Sequence, residues 1–280
     1  MKRMGTLIIA VLITVSIAPS ASAAAEREAN WRQRVSTADD VVASDISEEI
    51  KFGREVAARI LGRYGYLENP QLTKYLNLVG RSIAMHTSRP ELEFRFALLD
   101  TAEVNAYATP GGYVFVTRGA LEKMTDEAEL AGVLAHEIAH ITEKHVVKEL
   151  NIRSSEATGV TGLALLIGGG SEAAKVTLNQ LTDKAVDILF KDGYKREDEV
   201  QADKHAVMLC SLAGYDPQGL VRYFERLNTV KGKSTEILDK THPSYEARIA
   251  WIKSVITEEG MDAGSYAAHK ERFARNRELR

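Results

Sequence analysis

The stretch Leu134-Ala135-His136-Glu137-Ile138-Ala139-His140, read together with Glu199-Val200-Gln201-Ala202-Asp203 starting 59 residues after the second histidine, decides how this chain folds. On a helix, His136 and His140 are one turn apart on the same face, so both imidazoles reach a single cation. Glu137 lies between them, free to work on water at that cation. Glu199 would add the third ligand, completing the two-histidine, one-carboxylate set of a catalytic zinc, one per chain, with an open position. Asp203, one turn further on, is placed to accept the outer N–H of a ligating imidazole. An HExxH motif alone is a modest signal, since an exposed helix rich in His and Glu would also contain one. The flanks argue otherwise: Leu130, Val133, Leu134, Ile138 and Ile141, with Ala131, Gly132 and Ala135, make most of this helix apolar. Such a helix belongs in a core, where two imidazoles and a carboxylate are costly unless a metal partners them.

Working outward, the helix opens at Thr125 or Asp126, with Glu129 three residues after Asp126 as in a capping box, and is expected to run to about Leu150. Between Ile46 and His86 the apolar spacing predicts two amphipathic helices separated near Gly65 to Pro70, both packing over the HExxH helix. Leu92 to Leu98 alternates with period two, and Tyr113 to Val116 follows the Pro110-Gly111-Gly112 turn; both read as strands of a small sheet. Further helices carry Glu199 through Leu212, Gln218 through Leu227, and Arg248 with Ile249, Ile252 and Ile256. The fold class is therefore α+β, mainly α, with a small sheet packed on the HExxH helix. Residues 1–23 read as a secretory signal peptide, with basic Lys2 and Arg3, an apolar Thr6 to Ala18 and an Ala21-Ser22-Ala23 cleavage site. A polar arm at 24–45, a domain carrying the expected zinc site at 46–260 and a polar, solvated tail at 261–280 complete the division. Cys210 is the single cysteine, so no intramolecular disulfide forms, and its apolar neighbours mark it as buried. The net charge of −3 gives no sign of a nucleic-acid partner. The apolar stretch 157–170 is open to three readings: core packing, a lid over the cleft, or a membrane-surface contact.

Four segments occur in family order: Asn105-Ala106-Tyr107-Ala108-Thr109-Pro110-Gly111-Gly112, the HExxH stretch, Arg196 to Asp203, and Thr241-His242-Pro243 with Arg248-Ile249. From about Ile46 to Ile256 the chain resembles the HtpX and CAAX-prenyl-protease type of gluzincin metallopeptidase, and its soluble periplasmic BepA-like branch in particular. The resemblance implies that Asn105, Ala106, Tyr107 and Ala108 form a sheet edge to which an extended substrate adds by main-chain hydrogen bonds. It also implies that His242 can approach the metal as a fourth ligand and keep the enzyme latent. Read from the residues alone, Pro243 holds His242 out of the helix before Arg248, where its imidazole could instead stabilise an oxyanion. Arg248 is then an oxyanion group, a support behind the metal, or a structural ion pair. That branch usually continues into a tetratricopeptide array, whereas this chain ends soon after the Arg248 helix, which leaves recruitment of substrates and partners open.

Zinc in such a set lowers the pKa of water to about 7 and polarises a carbonyl, so Glu137 as general base could drive amide hydrolysis at neutral pH. The leading expectation is a periplasmic or secreted zinc endopeptidase acting on unfolded or misassembled envelope polypeptides. The runner-up is a metal-bearing chaperone or assembly factor working with the outer-membrane protein assembly machinery, in which proteolysis is secondary. Among the remaining histidines, His145 lies off the ligand face and is assigned a structural role or a hydrogen bond with the helix; His205 points elsewhere; His86 and His269 are solvated.

Overall fold

Caps and apolar spacing set the helix boundaries in the computed structural model, which describes residues 43–152, 162–230, 233–263 and 265–277. Helix α1 covers Ala43–Tyr64. Helix α2, Pro70–Ala84, starts at Asn69, whose side-chain oxygen accepts the Leu72 N–H at 2.9 Å, with Pro70 where no N–H is needed. Strands β1 (Arg95–Leu99), β2 (Ala106–Thr109) and β3 (Tyr113–Thr117) form one sheet in the order β1-β3-β2, parallel between β1 and β3 and antiparallel between β3 and β2. The segment aligned with substrate in the resemblance is thus an edge strand. After α3 (Arg118–Lys123) comes the HExxH helix α4 (Glu127–Thr142), then α5 (His145–Glu149), α6 (Gly162–Ile167) and α7 (Glu172–Asp187). A π turn at Ile188–Asp192 leads to the Glu199 helix α8 (Arg196–Leu212). Helices α9 (Gly219–Thr229), α10 (Glu236–Thr241), α11 (Tyr245–Glu258) and α12 (Lys270–Asn276) follow. The mainly helical α+β class expected from the sequence is the architecture observed.

The sheet separates two cores, because successive strand residues face opposite sides. Ala106, Ala108, Val114 and Val116 face the larger core, built with α2, α4, α8, α9 and α11 around Leu130, Leu134 and Ile138. Tyr107 and Phe115, cross-strand partners, face the smaller one with Phe52, Val56 and Ile60 of α1 and Leu163, Ile167 and Leu178 of α6 and α7. Only α2 of the first two helices packs on α4. Helix α1 lies instead over the turn before β3, where a Cβ on Gly53 would fall 1.7 Å from the Pro110 carbonyl oxygen. That backbone contact fixes the far end of the edge strand.

Three further expectations change. Helix α4 stops at Thr142 instead of reaching Leu150, because Lys144 adopts the left-handed conformation at φ 56° and α5 sets off in a new direction. At its start Asp126 accepts the Glu129 N–H at 2.9 Å, but the Glu129 carboxylate reaches the Thr125 N–H at 2.8 Å, one residue earlier than a capping box places it. The C-terminal helix is not a solvated end: Phe273 is 1% exposed in the larger core, and Arg272 reaches down to the buried carboxylate of Glu127. The leader, the arm to residue 42 and residues 157–161 of the apolar stretch lie outside the described residues. In the rest of that stretch Leu163 and Ile167 are buried. No helix among the described residues is long and apolar enough to cross a membrane.

Candidate active site

Helices α4 and α8 run against each other and bring three side chains to one point. His136 Nε2 and His140 Nε2 are 3.0 Å apart, and the Glu199 carboxylate lies 3.7 Å from the first and 3.6 Å from the second. From the turn between α10 and α11, His242 Nε2 comes within 3.7 Å of Glu199 Oε1. Ligands held by one tetrahedral cation at about 2.0–2.2 Å stand roughly 3.3–3.6 Å from one another; the three distances to Glu199 lie within about 0.1 Å of that range, and the two imidazoles are closer, at 3.0 Å.

The chemistry of the set agrees. Glu199 is fully buried, and neither carboxylate oxygen has a hydrogen-bond partner. Its nearest cation, Arg248 Nη2 at 3.9 Å, is engaged by Asp203. Burial, reinforced by the negative charges of Asp203 and Glu137, pushes the Glu199 carboxyl well above its ordinary range against the pull of Arg248. Burial holds His136 and His140 below the ordinary imidazole range, so both rings are neutral and offer lone pairs. A buried, unmatched carboxylate facing neutral imidazoles is stable only when a cation meets it. The residues therefore fit a divalent metal.

Each ring is oriented from behind. Asp203 Oδ1 lies 3.0 Å from His136 Nδ1, where it can accept that nitrogen's proton and leave Nε2 bare. Arg248, 1% exposed, donates to Asp203 through Nε at 2.9 Å and Nη2 at 2.6 Å, and its guanidinium sits over the Phe224 ring. Burial alone would raise the Asp203 carboxyl; the Arg248 charge and hydrogen bonds overcome it and bring the group down to about 2. On the other side the break after α4 swings His145 back so that its Nδ1 lies 2.7 Å from His140 Nδ1. His145 Nε2 is 3.3 Å from Gln201 Oε1, and the Gln201 amide donates to Glu143 at 2.6 Å. Read as one chain of donors ending on a carboxylate, this relay puts the His140 proton on Nδ1. The Thr241 hydroxyl does the same for His242: it donates to the Ile237 carbonyl at 2.8 Å and can accept from His242 Nδ1 at 2.9 Å.

Glu137 points to the cleft beside these atoms, 7% exposed, with burial pushing its carboxyl up to about 8 and Arg248 opposing. The edge strand borders the same space. Asn105 and Ala106 line a cavity of about 30 Å³ with Glu137, Phe224, Leu238 and His242. Asn105 itself turns its side-chain oxygen back to the Ala106 N–H at 2.9 Å. Ala108 lies further along the strand on the same side. Tyr107 points the opposite way, stacked among Tyr64 and Phe190, so its side chain does not enter the cleft. The segment before His242 lies across the approach to this strand, where the Ser234 carbonyl accepts the Val104 N–H at 2.6 Å.

Sequence reasoning did not single out Tyr194 or Gln201, and it gave His145 no ligand to support. Tyr194 stacks on His140 with ring centroids 4.2 Å apart and 18° between planes. Burial and then the charges of Glu137 and Glu199 hold its phenol well above the usual range, so it stays protonated. Gln201 carried one signal, its place in the same helical turn as Glu199. For Tyr194 no spacing in the chain announced the contact. His205, as expected, points away from the metal site, to Glu143 at 3.0 Å.

The profile of peptidase family M48 matches residues 70–256. The chain is 27% identical over 212 residues to the beta-barrel assembly-enhancing protease of Escherichia coli (strain K12), a match covering 73% of this chain and 43% of that protein. It is 26% identical over 215 residues to metalloprotease YcaL of the same organism, covering 77% and 78% of the two chains. Against the mitochondrial metalloendopeptidase OMA1 of Schizosaccharomyces pombe (strain 972 / ATCC 24843) the identity is 27% over 215 residues, covering 75% and 61%. The chain thus spans less than half the length of the assembly-enhancing proteases it matches. Because the family match covers residues 70–256 and runs through both helices whose side chains converge, the chain belongs to peptidase family M48.

Proposed function

We propose that this chain is a zinc-dependent endopeptidase of the cell envelope, periplasmic or secreted after cleavage of its leader, that hydrolyses unfolded or misassembled polypeptides and rests in a latent state held by His242. The observation that carries the metal assignment is the buried Glu199 carboxylate, whose oxygens have no partner and which groups with His136 and His242 as a set able to hold a metal, with His140 Nε2 3.6 Å away. In this reading His136, His140 and Glu199 hold one zinc, and Asp203 and His145 fix the tautomers of the two imidazoles. A zinc ion there supplies Lewis acidity toward a carbonyl and an acidified water. Glu137 takes the proton of the attacking water and delivers it to the leaving amine, a transfer suited to a carboxyl raised toward neutrality by burial. Arg248 keeps Asp203 ionised, and its guanidinium borders the cavity that Glu137 and His242 share with Asn105 and with Ala106 of the edge strand. The edge strand offers main-chain donors and acceptors to an extended polypeptide, with Ala106 and Ala108 leaving room beside it.

Two observations favour latency. His242 presents Nε2 to the metal position, and the cavity between α4 and the edge strand holds only about 30 Å³, too little for a peptide until the His242 segment moves. The cell-envelope setting rests on the leader-like residues 1–23 and on the kinship with a beta-barrel assembly-enhancing protease. Outer-membrane protein assembly machinery is the partner this kinship suggests. The test is to compare wild type with Glu137→Gln for metal content by native mass spectrometry and for casein cleavage. Both proteins should carry about one zinc per chain, and the variant should lose hydrolysis by at least roughly 100-fold, the loss expected of a general base. An active Glu137→Gln protein, or a wild type that binds no zinc, rules the proposal out.

A further inference from the structure

The hydroxyl of Tyr194 is buried and has no hydrogen-bond partner. Tyr75 and Tyr215 each donate to Glu127 at 2.8 Å, and Tyr64 and Tyr107 reach one another at 3.0 Å; the Tyr245 hydroxyl shares the unpartnered state, but of the two only Tyr194 stacks on a proposed metal ligand, His140. Withdrawing a hydroxyl from water without a partner is unfavourable, so one held beside a metal-binding imidazole calls for an account of what it meets.

The backbone around Tyr194 is built to aim the ring. The π turn Ile188–Asp192 ends on Gly193, whose φ of 75° and ψ of −179° suit glycine almost alone. A Cβ on Gly193 would sit 2.1 Å from the Thr241 carbonyl oxygen, so the segment carrying His242 presses directly on this turn. Beyond it the phenol lies flat on His140, and with Ala108, Thr109 and Pro110 it closes a cavity of about 10 Å³ at the far end of the edge strand. Ala106, two residues back on the same side of that strand, lines the larger cavity with Glu137 and His242. A polypeptide laid along the strand from one cavity to the other passes the metal site between them, and its main chain comes to the phenol.

Resting on the peptidase reading above, we propose that Tyr194 Oη is a hydrogen-bond donor to a main-chain carbonyl oxygen of the bound polypeptide at the scissile bond, left unpartnered in the free enzyme so that it is ready for substrate. Tyr194→Phe removes that oxygen and keeps the stack on His140. The variant should retain one zinc per chain while kcat/KM on dye-labelled casein falls by about 10- to 100-fold, the loss of one donor to a developing charge. The metal-free variant should melt no lower than metal-free wild type and as much as about 2–4 °C higher, because a buried hydroxyl without a partner has been deleted. A Phe variant that cleaves casein as wild type does overturns the proposal. So does a lower melting temperature, which would reveal a structural partner for the hydroxyl, and so does loss of zinc, which would place the effect at His140. A wild type that binds zinc and is inert toward casein even as His242→Ala would count against the peptidase reading itself, and the melting comparison would still decide whether the hydroxyl is unpartnered.

Discussion

Replacing His145 with Phe tests the orientation of the metal site without touching any residue proposed to meet the metal. His145 is fully buried, and its Nδ1 lies 2.7 Å from His140 Nδ1. For His140 to offer Nε2 to a cation its proton must sit on Nδ1, and His145 is the acceptor that makes this tautomer the favoured one. A Phe ring fills similar volume but accepts nothing, which strands the His140 N–H in a site sealed from water. Leaving such a donor unsatisfied costs about 1–3 kcal/mol, and since about 1.4 kcal/mol is tenfold in a dissociation constant, zinc should bind roughly 5- to 150-fold more weakly. The range agrees with the 10- to 100-fold generally seen when a group supporting a metal-bound imidazole is removed. Competition with a fluorescent zinc chelator at pH 7.5 reads the change directly, and the melting temperature of the metal-free protein checks that the variant is folded. A zinc affinity within twofold of wild type, in a folded variant, would refute the relay from His140 through His145 to Gln201.

Three other outcomes are expected. His242→Ala should raise casein turnover at equal zinc content, since it removes the imidazole that holds the site closed; a fall of about 100- to 1000-fold would instead make His242 an oxyanion donor, and unchanged turnover would exclude both roles. Phe273→Ala should lower stability by about 3–5 kcal/mol in urea unfolding, as for other fully buried aromatic truncations, and a loss under about 1 kcal/mol would show that α12 is dispensable to the fold. Burial raises the Glu127 carboxyl, but bonds from Arg272, Tyr75 and Tyr215 outweigh it and leave the group below its ordinary range. Its stabilising contribution is thus complete above the unfolded value near about pH 4.3 and is lost as pH falls through the lower folded value. Arg272→Ala should accordingly cost about 1–3 kcal/mol at pH 7 and progressively less below about pH 4; a penalty that does not change with pH would contradict this account.

What the sequence determined by itself was whatever depends on near neighbours or on a strict pattern. The i, i+4 spacing places His136 and His140 on one face whatever the rest of the chain does, and the apolar residues around them require that helix to be buried. Glu199 and Asp203 were legible because the same one-turn spacing recurs on a second helix. Alternation marked the strand from Leu92 to Leu98, and the Pro110-Gly111-Gly112 turn marked the strand that opens at Tyr113. The tertiary structure decided what no local period encodes. His145 reaches His140 only because the chain breaks at Lys144, where a backbone angle turns a residue from off the ligand face into the partner of a ligand. Tyr194 meets His140 only because Gly193 lets the π turn pass against the Thr241 carbonyl. Tyr107 lies beside the cleft by sequence but away from it by the pleat of β2, which sends it to the second core with Phe115. The C-terminal helix reads as solvated because most of its side chains are polar, yet one ring, Phe273, and one cation, Arg272, dock it where a buried Glu127 waits. Each of these contacts joins residues whose meeting depends on how whole helices are packed, and packing is settled by the shape and charge of both partners at once, which neither segment carries alone.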